Sequence, residues 1–203
     1  MVILKMKINH PLKGCIDFEP YDYQKELIQK LVHENKNVIV KSARQMGVST
    51  TLFYCIRELC LTQPNYKAIL ITSNGYGYNG LNGFPDSDRI KQRNKFKIEY
   101  DNGSEIIFLP GYSINGKILN DYKIFIDLYE FVDGKFMISL REHFSSNNFN
   151  PKFYSFTGNN NFEKDKFEIL KWNWDMHPER DQSWFDCHSK LFGRTAELEL
   201  IVE

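Results

Sequence analysis

The sequence predicts an α/β domain with a mainly parallel central sheet flanked by helices. Short apolar runs that end in polar residues alternate with longer amphipathic stretches, as in strands joined by crossover helices. An Asn-Gly turn between two alternating segments adds a β-hairpin. The 203 residues, of which 42% are hydrophobic and 15% aromatic, are enough to bury a core.

The first half of the domain follows a lead-in, residues 1–20, that we expect to be irregular. Apolar residues three and four positions apart predict a helix over 21–34. The apolar runs at 38–40 and 67–72 are typical of buried strands. The periodicity of the apolar residues over 51–61 predicts a helix that connects these two strands. The domain is therefore expected to span 21–203.

The second half of the chain supplies the hairpin and the remaining strands. A Gly/Asn-rich loop is expected at 74–82, before the hairpin. Alternation on both sides of Asn102-Gly103 predicts the hairpin over 96–109. The further predictions are strands at 123–127 and 152–157 and helices at 162–172 and 183–192.

Charge, cysteine spacing and hydropathy argue against a strongly basic nucleic-acid-binding protein, a cysteine-ligated metal site and a membrane protein. Lys+Arg and Asp+Glu both number 26, so contact with nucleic acid would have to come from a local group of basic residues. The four cysteines lack metal-ligand spacing and are expected to be reduced thiols. No signal peptide or apolar run of membrane-spanning length is visible, so we expect no membrane insertion.

One local basic segment is the candidate for contact with DNA phosphates, and a solvated face is the alternative. It comprises Arg89, Lys91, Arg93, Lys95 and Lys97.

The segment between the strand at 38–40 and the following helix resembles a phosphate-binding loop. Over Ser42 to Ser49 it follows G-x-x-x-x-G-K-[ST] at the second glycine, Gly47, and at the hydroxyl, Ser49. Ser42 replaces the first glycine, and Val48 replaces the lysine. A loop of this kind directs backbone N–H groups and the positive end of a helix dipole toward phosphate.

Cations near this loop could take the place of the missing lysine. Lys41 ends the strand and Arg44 lies within the loop. Taken alone, the segment is equally consistent with an ordinary strand–turn–helix whose Lys and Arg are solvated.

An aspartate ends the apolar strand at 123–127, as in the strand that supports Mg²⁺ in phosphate-loop enzymes. The glutamate expected directly after Asp127 is replaced by Leu128, and Glu130 is the nearest substitute. An aspartate that caps the next turn is the alternative.

The order of these motifs resembles the ATPase domain of viral large terminase subunits, which package double-stranded DNA into procapsids. The resemblance covers roughly 18–203 and implies a P-loop NTPase fold. Its motifs are Tyr21-Asp-Tyr-Gln24, Ala43-Arg-Gln-Met-Gly-Val-Ser-Thr50, Asn102-Gly-Ser-Glu-Ile-Ile107, Ile124-Phe-Ile-Asp-Leu-Tyr-Glu-Phe131 and Ser155-Phe-Thr-Gly-Asn159.

The resemblance implies a role for each matching residue. Arg44, Asp127 and Glu130 would be catalytic, with Asp127 and Ser49 (or Thr50) holding Mg²⁺. Gln24 would read adenine, and Lys41 resembles a displaced lysine of lambda-type terminases. Coupling to DNA movement is implied for Thr157, Gly158 and Asn159. The implied ATP-binding residues are Gln24, Lys41, Ser42, Ala43, Arg44, Gln45, Met46, Gly47, Val48, Ser49 and Thr50.

The implied cofactors are ATP and Mg²⁺. The implied partners are double-stranded DNA, the portal protein, a small terminase subunit and further copies in a ring, in the cytoplasm of an infected host. The family's nuclease half has no counterpart in this sequence. Because Val48 and Leu128 replace two catalytic groups, one alternative is a catalytically impaired nucleotide-binding module with a structural or regulatory role. A second alternative is a helicase-like DNA translocase.

Overall fold

A computed structural model describes residues 7–10, 14–43, 45–72, 88–110, 122–128, 152–156 and 167–192. The lead-in contains a β-hairpin, which corrects the expectation of an irregular segment. Strand β1 (Lys7–His10) pairs antiparallel with β2 (Gly14–Asp17). The strands are only four residues long, so they carry too little alternation to be recognised from sequence.

The central sheet has eight strands among the described residues, in the order β10-β3-β9-β8-β4-β7-β6-β5. Neighbours from β10 to β7 run parallel, and β6 and β5 are antiparallel to their neighbours. This confirms the predicted mixed α/β class. The strands are β3 (Val38–Ser42), β4 (Lys67–Thr72), β5 (Ile90–Arg93), β6 (Lys97–Tyr100), β7 (Glu105–Pro110), β8 (Lys123–Leu128), β9 (Phe153–Phe156) and β10 (Glu168–Trp172).

The helices of the described part are shorter or longer than predicted by a few residues. Helix α1 (Asp22–Ile28) continues as a π-helical turn (Gln29–His33), and α2 spans Val48–Thr62. A 3₁₀ turn (Trp174–Met176) precedes α3 (Gln182–Phe192). None of the described helices is long and apolar enough to cross a membrane.

Strand β10 corrects the predicted helix over 162–172, of which 162–166 lie outside the described residues. Glu168 to Trp172 pair in register with Val38 to Ser42 of β3. A short apolar run such as Phe167-Glu-Ile-Leu-Lys-Trp172 fits either a strand or a buried helix, and the pairing with β3 decides between them. Strand β5 was also not predicted, because its charged residues hide the alternation.

Helices α1 and α2 pack against one face of the central sheet. Val40, Leu70 and Phe108 of three strands share a buried cluster with Leu52 and Phe53 of α2. The rings of Phe53 and Phe108 lie 6.3 Å apart. This packing fixes α2 over the sheet and so sets where its N-terminus lies.

The turn between β6 and β7 caps the C-terminus of α2. The Asn102 side-chain amide donates to the carbonyl of Cys60 at 2.8 Å. The Ser104 hydroxyl, fully buried, donates to the carbonyl of Gln63 at 2.8 Å and accepts from the N–H of Tyr66 at 2.9 Å. The Asn-Gly-Ser motif therefore satisfies carbonyls that the end of a helix leaves without partners.

Candidate functional site

The parallel strands bring the predicted site residues to one edge of the sheet. Asp127 of β8 is in register with Ser155 of β9, and Ser155 is in register with Val40 of β3. Strand β9 thus lies between β3 and β8, which separates their backbones by about 10 Å. Ligands of open α/β sheets bind outside this carboxyl edge.

Asp127 lies on the face of the sheet that α2 covers. It is two residues from Phe125, which is in register with Leu70, and Leu70 is in register with Phe108. Side chains alternate along a strand, so Asp127 shares the face of these residues. Its side chain is only 5% exposed. Asp127 therefore ends its strand on the face of the sheet that α2 covers, and its part in a ligand site stays a prediction.

The β3–α2 loop (43–47) has a strained backbone where it meets the helix. Gln45 has a φ of 60° and Gly47 a φ of 76°, both in the left-handed region. The φ of Gly47 favours glycine, and a Cβ there would lie 2.6 Å from the Nε2 atom of Gln24, so the end of the Gln24 side chain would have to shift. A left-handed glutamine costs roughly 1–2 kcal/mol, which surrounding contacts must offset.

Three successive carbonyls of this loop are held by other groups. Arg180 donates from Nη2 to the Gln45 carbonyl at 2.9 Å. The Met46 carbonyl accepts from the Gln24 amide at 3.1 Å and from the Tyr23 hydroxyl at 3.2 Å. The N–H and the hydroxyl of Thr51 both donate to the Gly47 carbonyl at 2.9 Å.

Anchoring the carbonyls determines where the loop N–H groups point. In a trans peptide the carbonyl and the next N–H point in opposite directions, so the N–H groups of Met46 and Gly47 are directed away from these anchors. The N–H groups from Gly47 to Thr50 have no partner within α2, because the first four of any helix lack one. Together they form a donor set suited to an anion such as phosphate.

Gln24 has a structural role in addition to the adenine recognition predicted for it. Its Oε1 accepts from the N–H of Tyr21 at 3.0 Å, while its Nε2 binds the Met46 carbonyl. The residue is buried. Gln24 therefore connects the start of α1 to the loop, and its recognition of adenine stays a prediction.

Lys41 lies one residue before the end of β3. It is in register with Lys171 of β10 and, by alternation along the strand, belongs to the face opposite Val40 and hence opposite Asp127. To reach a ligand at the N-terminus of α2, the Lys41 side chain has to pass around the end of β3 to the other face of the sheet. The lysine is half-buried, whereas Lys171 is exposed.

The remaining loop residues differ in exposure. Val48, which stands where a phosphate-loop enzyme has its lysine, is 1% exposed and belongs to the core. A valine at this position packs into the core and offers no charge to a phosphate. Ser49 is exposed and Thr50 half-buried, whereas Ser42 and Ala43 are buried.

Other predicted site residues lie outside the part of the chain that the structure describes. These are Arg44, Glu130, Thr157, Gly158 and Asn159.

The donor types at this edge of the sheet are compatible with Mg²⁺. Across the described ranges no group of three or more His, Cys, Asp or Glu could hold a metal by itself. Mg²⁺ is commonly bound by one or two protein oxygens together with phosphate and water. Asp127 and the hydroxyl of Ser49 or Thr50 supply that kind of donor set.

Sequence reasoning missed Arg180 and Tyr23 as residues that contact the loop. Arg180 is separated from Gln45 by 135 positions, and no local pattern connects the two. Burial raises the pKa of the Tyr23 hydroxyl, with a smaller contribution from Tyr21, and this hydroxyl donates to the Met46 carbonyl.

The predicted basic segment is largely paired with carboxylates. Arg89 binds Asp101, Lys91 binds Glu99, and Lys97 binds Glu99 and Glu105. The hydrogen bonds from Lys91 and, secondly, from Lys97 lower the pKa of Glu99. DNA phosphates would have to compete with these neighbours.

The ring of Phe96 lies at the tip of the same β5–β6 hairpin and is 57% exposed. The ammonium of Lys95 lies 5.5 Å from the centre of that ring. The tip is therefore the part of the basic segment with exposed apolar surface next to a positive charge.

Two solved structures of the large terminase ATPase domain of Thermus phage P74-26 share this fold. One, an arginine-to-alanine mutant, aligns with a TM-score of 0.57 at 13% identity over 91% of this chain and 95% of that chain. The other aligns with a TM-score of 0.55 at 14% identity, with the same coverage. No protein-family model and no curated protein matches the sequence. At this identity the likeness shows the fold, that of a terminase ATPase domain with its mainly parallel sheet.

Proposed function

We propose that this chain is an ATP-binding and ATP-hydrolysing motor domain of the viral large terminase kind. The observation that carries the proposal is the placement of the loop N–H groups at the N-terminus of α2, with buried Asp127 two strands away on the same face. The fold shared with the phage terminase ATPase domain and the order of the sequence motifs support the assignment.

The proposed chemistry divides between binding and charge stabilisation. The N–H groups from Met46 to Thr50 bind the β- and γ-phosphates. Lys41 and Arg44 supply the positive charge that Val48 does not, and such charge is worth several powers of ten in phosphoryl transfer. Gln24 is proposed to read the adenine as well as to hold the loop.

Magnesium supplies Lewis-acid stabilisation of the phosphate oxygens when bound. Asp127 and Ser49, or Thr50, are the residues we propose for it. Glu130 is proposed to orient the attacking water. Thr157, Gly158 and Asn159 are the proposed coupling residues, by resemblance of sequence.

The proposed partners follow from the motor assignment. They are double-stranded DNA, a portal protein on the procapsid, a small terminase subunit and further copies of the chain in a ring, in the host cytoplasm. With Lys+Arg and Asp+Glu equal at 26 each, the domain alone is expected to bind duplex DNA weakly and with steep salt dependence.

Calorimetry with MgATP and measurement of phosphate release test the proposal. Wild-type protein should bind MgATP, and Asp127→Asn should lower turnover about 100-fold while leaving the unfolding transition in place. Asp101→Asn is the matched control, because Asp101 pairs with Arg89 on the hairpin far from the loop. Absence of MgATP binding in the wild type, or equal turnover in both variants, would contradict the proposal.

Portal-bearing procapsids separate packaging from the two alternatives. For a packaging motor, turnover should rise when procapsids and linear duplex DNA are both present. Nucleotide binding without turnover under every condition would select the catalytically impaired module, which the burial of Val48 at the lysine position favours. Stimulation by free duplex DNA alone would select a helicase-like translocase.

A further inference from the structure

We infer that Arg180 is a positioning residue that holds the β3–α2 loop with its N–H groups facing the phosphates. The inference rests on the proposed function, because it gives Arg180 a part in that same site. Arg180 lies in the segment between β10 and α3, and β10 is the sheet neighbour of β3, the strand that precedes the loop.

The guanidinium of Arg180 is fixed on both of its sides. Toward the loop, Nη2 donates to the Gln45 carbonyl at 2.9 Å, and Nη1 lies 3.4 Å from the sulfur of Met46. On the other side its central carbon lies 4.3 Å from the centre of the Trp184 ring in α3. The backbone N–H of Arg180 also donates to His177 at 3.0 Å, which fixes the turn that carries the side chain.

The carbonyl that Arg180 holds belongs to the strained residue of the loop. Gln45 has a φ of 60°, a conformation that residues other than glycine adopt rarely and keep only when neighbours hold it. A charge-assisted hydrogen bond from a planar guanidinium is a strong contact of this kind. Arg180 therefore helps to hold Gln45 in this conformation.

The direction of this bond indicates how Arg180 acts on a nucleotide. The guanidinium lies on the carbonyl side of the Gln45–Met46 peptide, so the N–H of Met46 points away from it. Gln24 and Tyr23 fix the next peptide in the same way through the Met46 carbonyl. Arg180 thus acts on phosphate through the orientation of the loop N–H groups.

This role predicts that removing Arg180 lowers the affinity for nucleotides with more than one phosphate, and lowers the affinity for AMP much less. Arg180→Ala should weaken MgADP binding about tenfold while changing AMP binding much less, so the ratio of the two dissociation constants changes. Arg180→Lys should fall between, because a lysine can donate to Gln45 but lacks the planar fork that also contacts Met46 and Trp184. Calorimetric titration of each protein with MgADP and with AMP gives the ratio.

Arg89→Ala is the matched control. Arg89 is also a partly exposed arginine, and it binds the carboxylate of Asp101, but it lies beside the strand at the opposite edge of the sheet. Its ratio of dissociation constants should equal that of the wild type. If Arg180→Ala does not fold, Arg180→Gln, which keeps most of the packing volume, provides the same comparison.

The outcomes separate this inference from the proposed function. Wild-type protein with no affinity for MgADP would overturn the proposed function and the inference with it. Wild-type binding together with an unchanged ratio in the Arg180 variants would overturn the inference alone. A loss of unfolding free energy with an unchanged ratio would also overturn it, because Arg180 would then only stabilise the fold.

Discussion

The two ends of helix α2 are bonded to the rest of the molecule in opposite ways. At the C-terminal end, the side chains of Asn102 and Ser104 donate to helix carbonyls that lack partners in the helix. At the N-terminal end, Gln24 and Arg180 bond loop carbonyls instead, and these bonds turn the neighbouring N–H groups outward.

This difference separates a structural contact from a binding site within one helix. Any helix exposes about four unpaired groups at each end, and a protein that needed only stability would cap both ends. In α2 the surrounding residues cap the carbonyls at the C-terminus, whereas at the N-terminus they orient the N–H groups. The N-terminal end of α2 is thus expected to control nucleotide affinity, and the C-terminal end to control stability.

The largest effect is expected from Gly47→Ala. The new Cβ would lie 2.6 Å from Nε2 of Gln24, and the φ of 76° at Gly47 disfavours any side chain, so the end of the Gln24 side chain must move away from the loop or the backbone must shift. We expect MgATP affinity to fall about 100-fold, from backbone strain together with the displaced Gln24 bond. Calorimetry measures the change.

Gly103→Ala is the control at the other end of α2. Gly103 has a φ of 81°, and a Cβ there would clash with the side chain of Asn65. This variant should lose stability while any molecules that remain folded keep wild-type affinity. Equal losses of affinity in both variants would show that the two ends do not differ as described.

A smaller loss of affinity is expected from Lys41→Ala. If Lys41 reaches around the end of β3, removing it should weaken MgATP binding about tenfold through the loss of one charge-assisted contact. Lys171→Ala is the control, because Lys171 is in register with Lys41 on the neighbouring strand. Similar small effects in both titrations would mean that Lys41 stays on the other face of the sheet.

Ser104→Ala should affect stability alone. The buried hydroxyl bonds both Gln63 and Tyr66, and removing it leaves their backbone groups without this partner. Urea unfolding should show a loss of about 1–3 kcal/mol. A change in MgATP affinity would contradict the purely structural role of this turn.

The smallest effect concerns the pH dependence of the segment that carries Arg180. Burial, and secondly Arg180, lowers the pKa of His177 below its usual 6.5, whereas Glu179 opposes the shift. Neutral His177 also accepts from the N–H of Glu179 at Nδ1.

The unfolded state therefore binds a proton at His177 more readily than the folded state does. The stability that neutral His177 contributes is present above pH 6.5 and is lost as the pH falls from 6.5 toward the lower pKa of the folded state. His177→Phe should remove that loss, so urea unfolding below pH 6.5 should show the variant gaining relative to the wild type. Parallel curves at all pH values would contradict this account.

Local sequence patterns were enough to predict most of the sheet. The predicted strands at 67–72 and 123–127 and the hairpin around Asn102-Gly103 have strong apolar runs or a specific turn, and the structure confirms them, with the second strand one residue longer. Strand β10 was wrongly predicted as helix because its run is short. Its pairing with β3, which decides the matter, comes from 130 positions away in the chain.

The candidate site was only partly predictable for a similar reason. The motif indicated the position of the loop and of Asp127, since both are local signals. The contacts of Arg180 and Tyr23 with the loop depend on the folded chain. The burial of Val48 and the opposite faces of Lys41 and Asp127 likewise follow from strand and helix packing.

Titration of ¹⁵N-labelled protein with MgADP, followed by amide chemical shifts, tests the central claim most directly. If phosphate binds at the N-terminus of α2, the amide signals of residues 46–50 should shift in proportion to occupancy, while those of 102–104 at the other end stay unchanged. Saturating MgADP that leaves 46–50 unmoved, or that shifts both ends of the helix equally, would contradict the account.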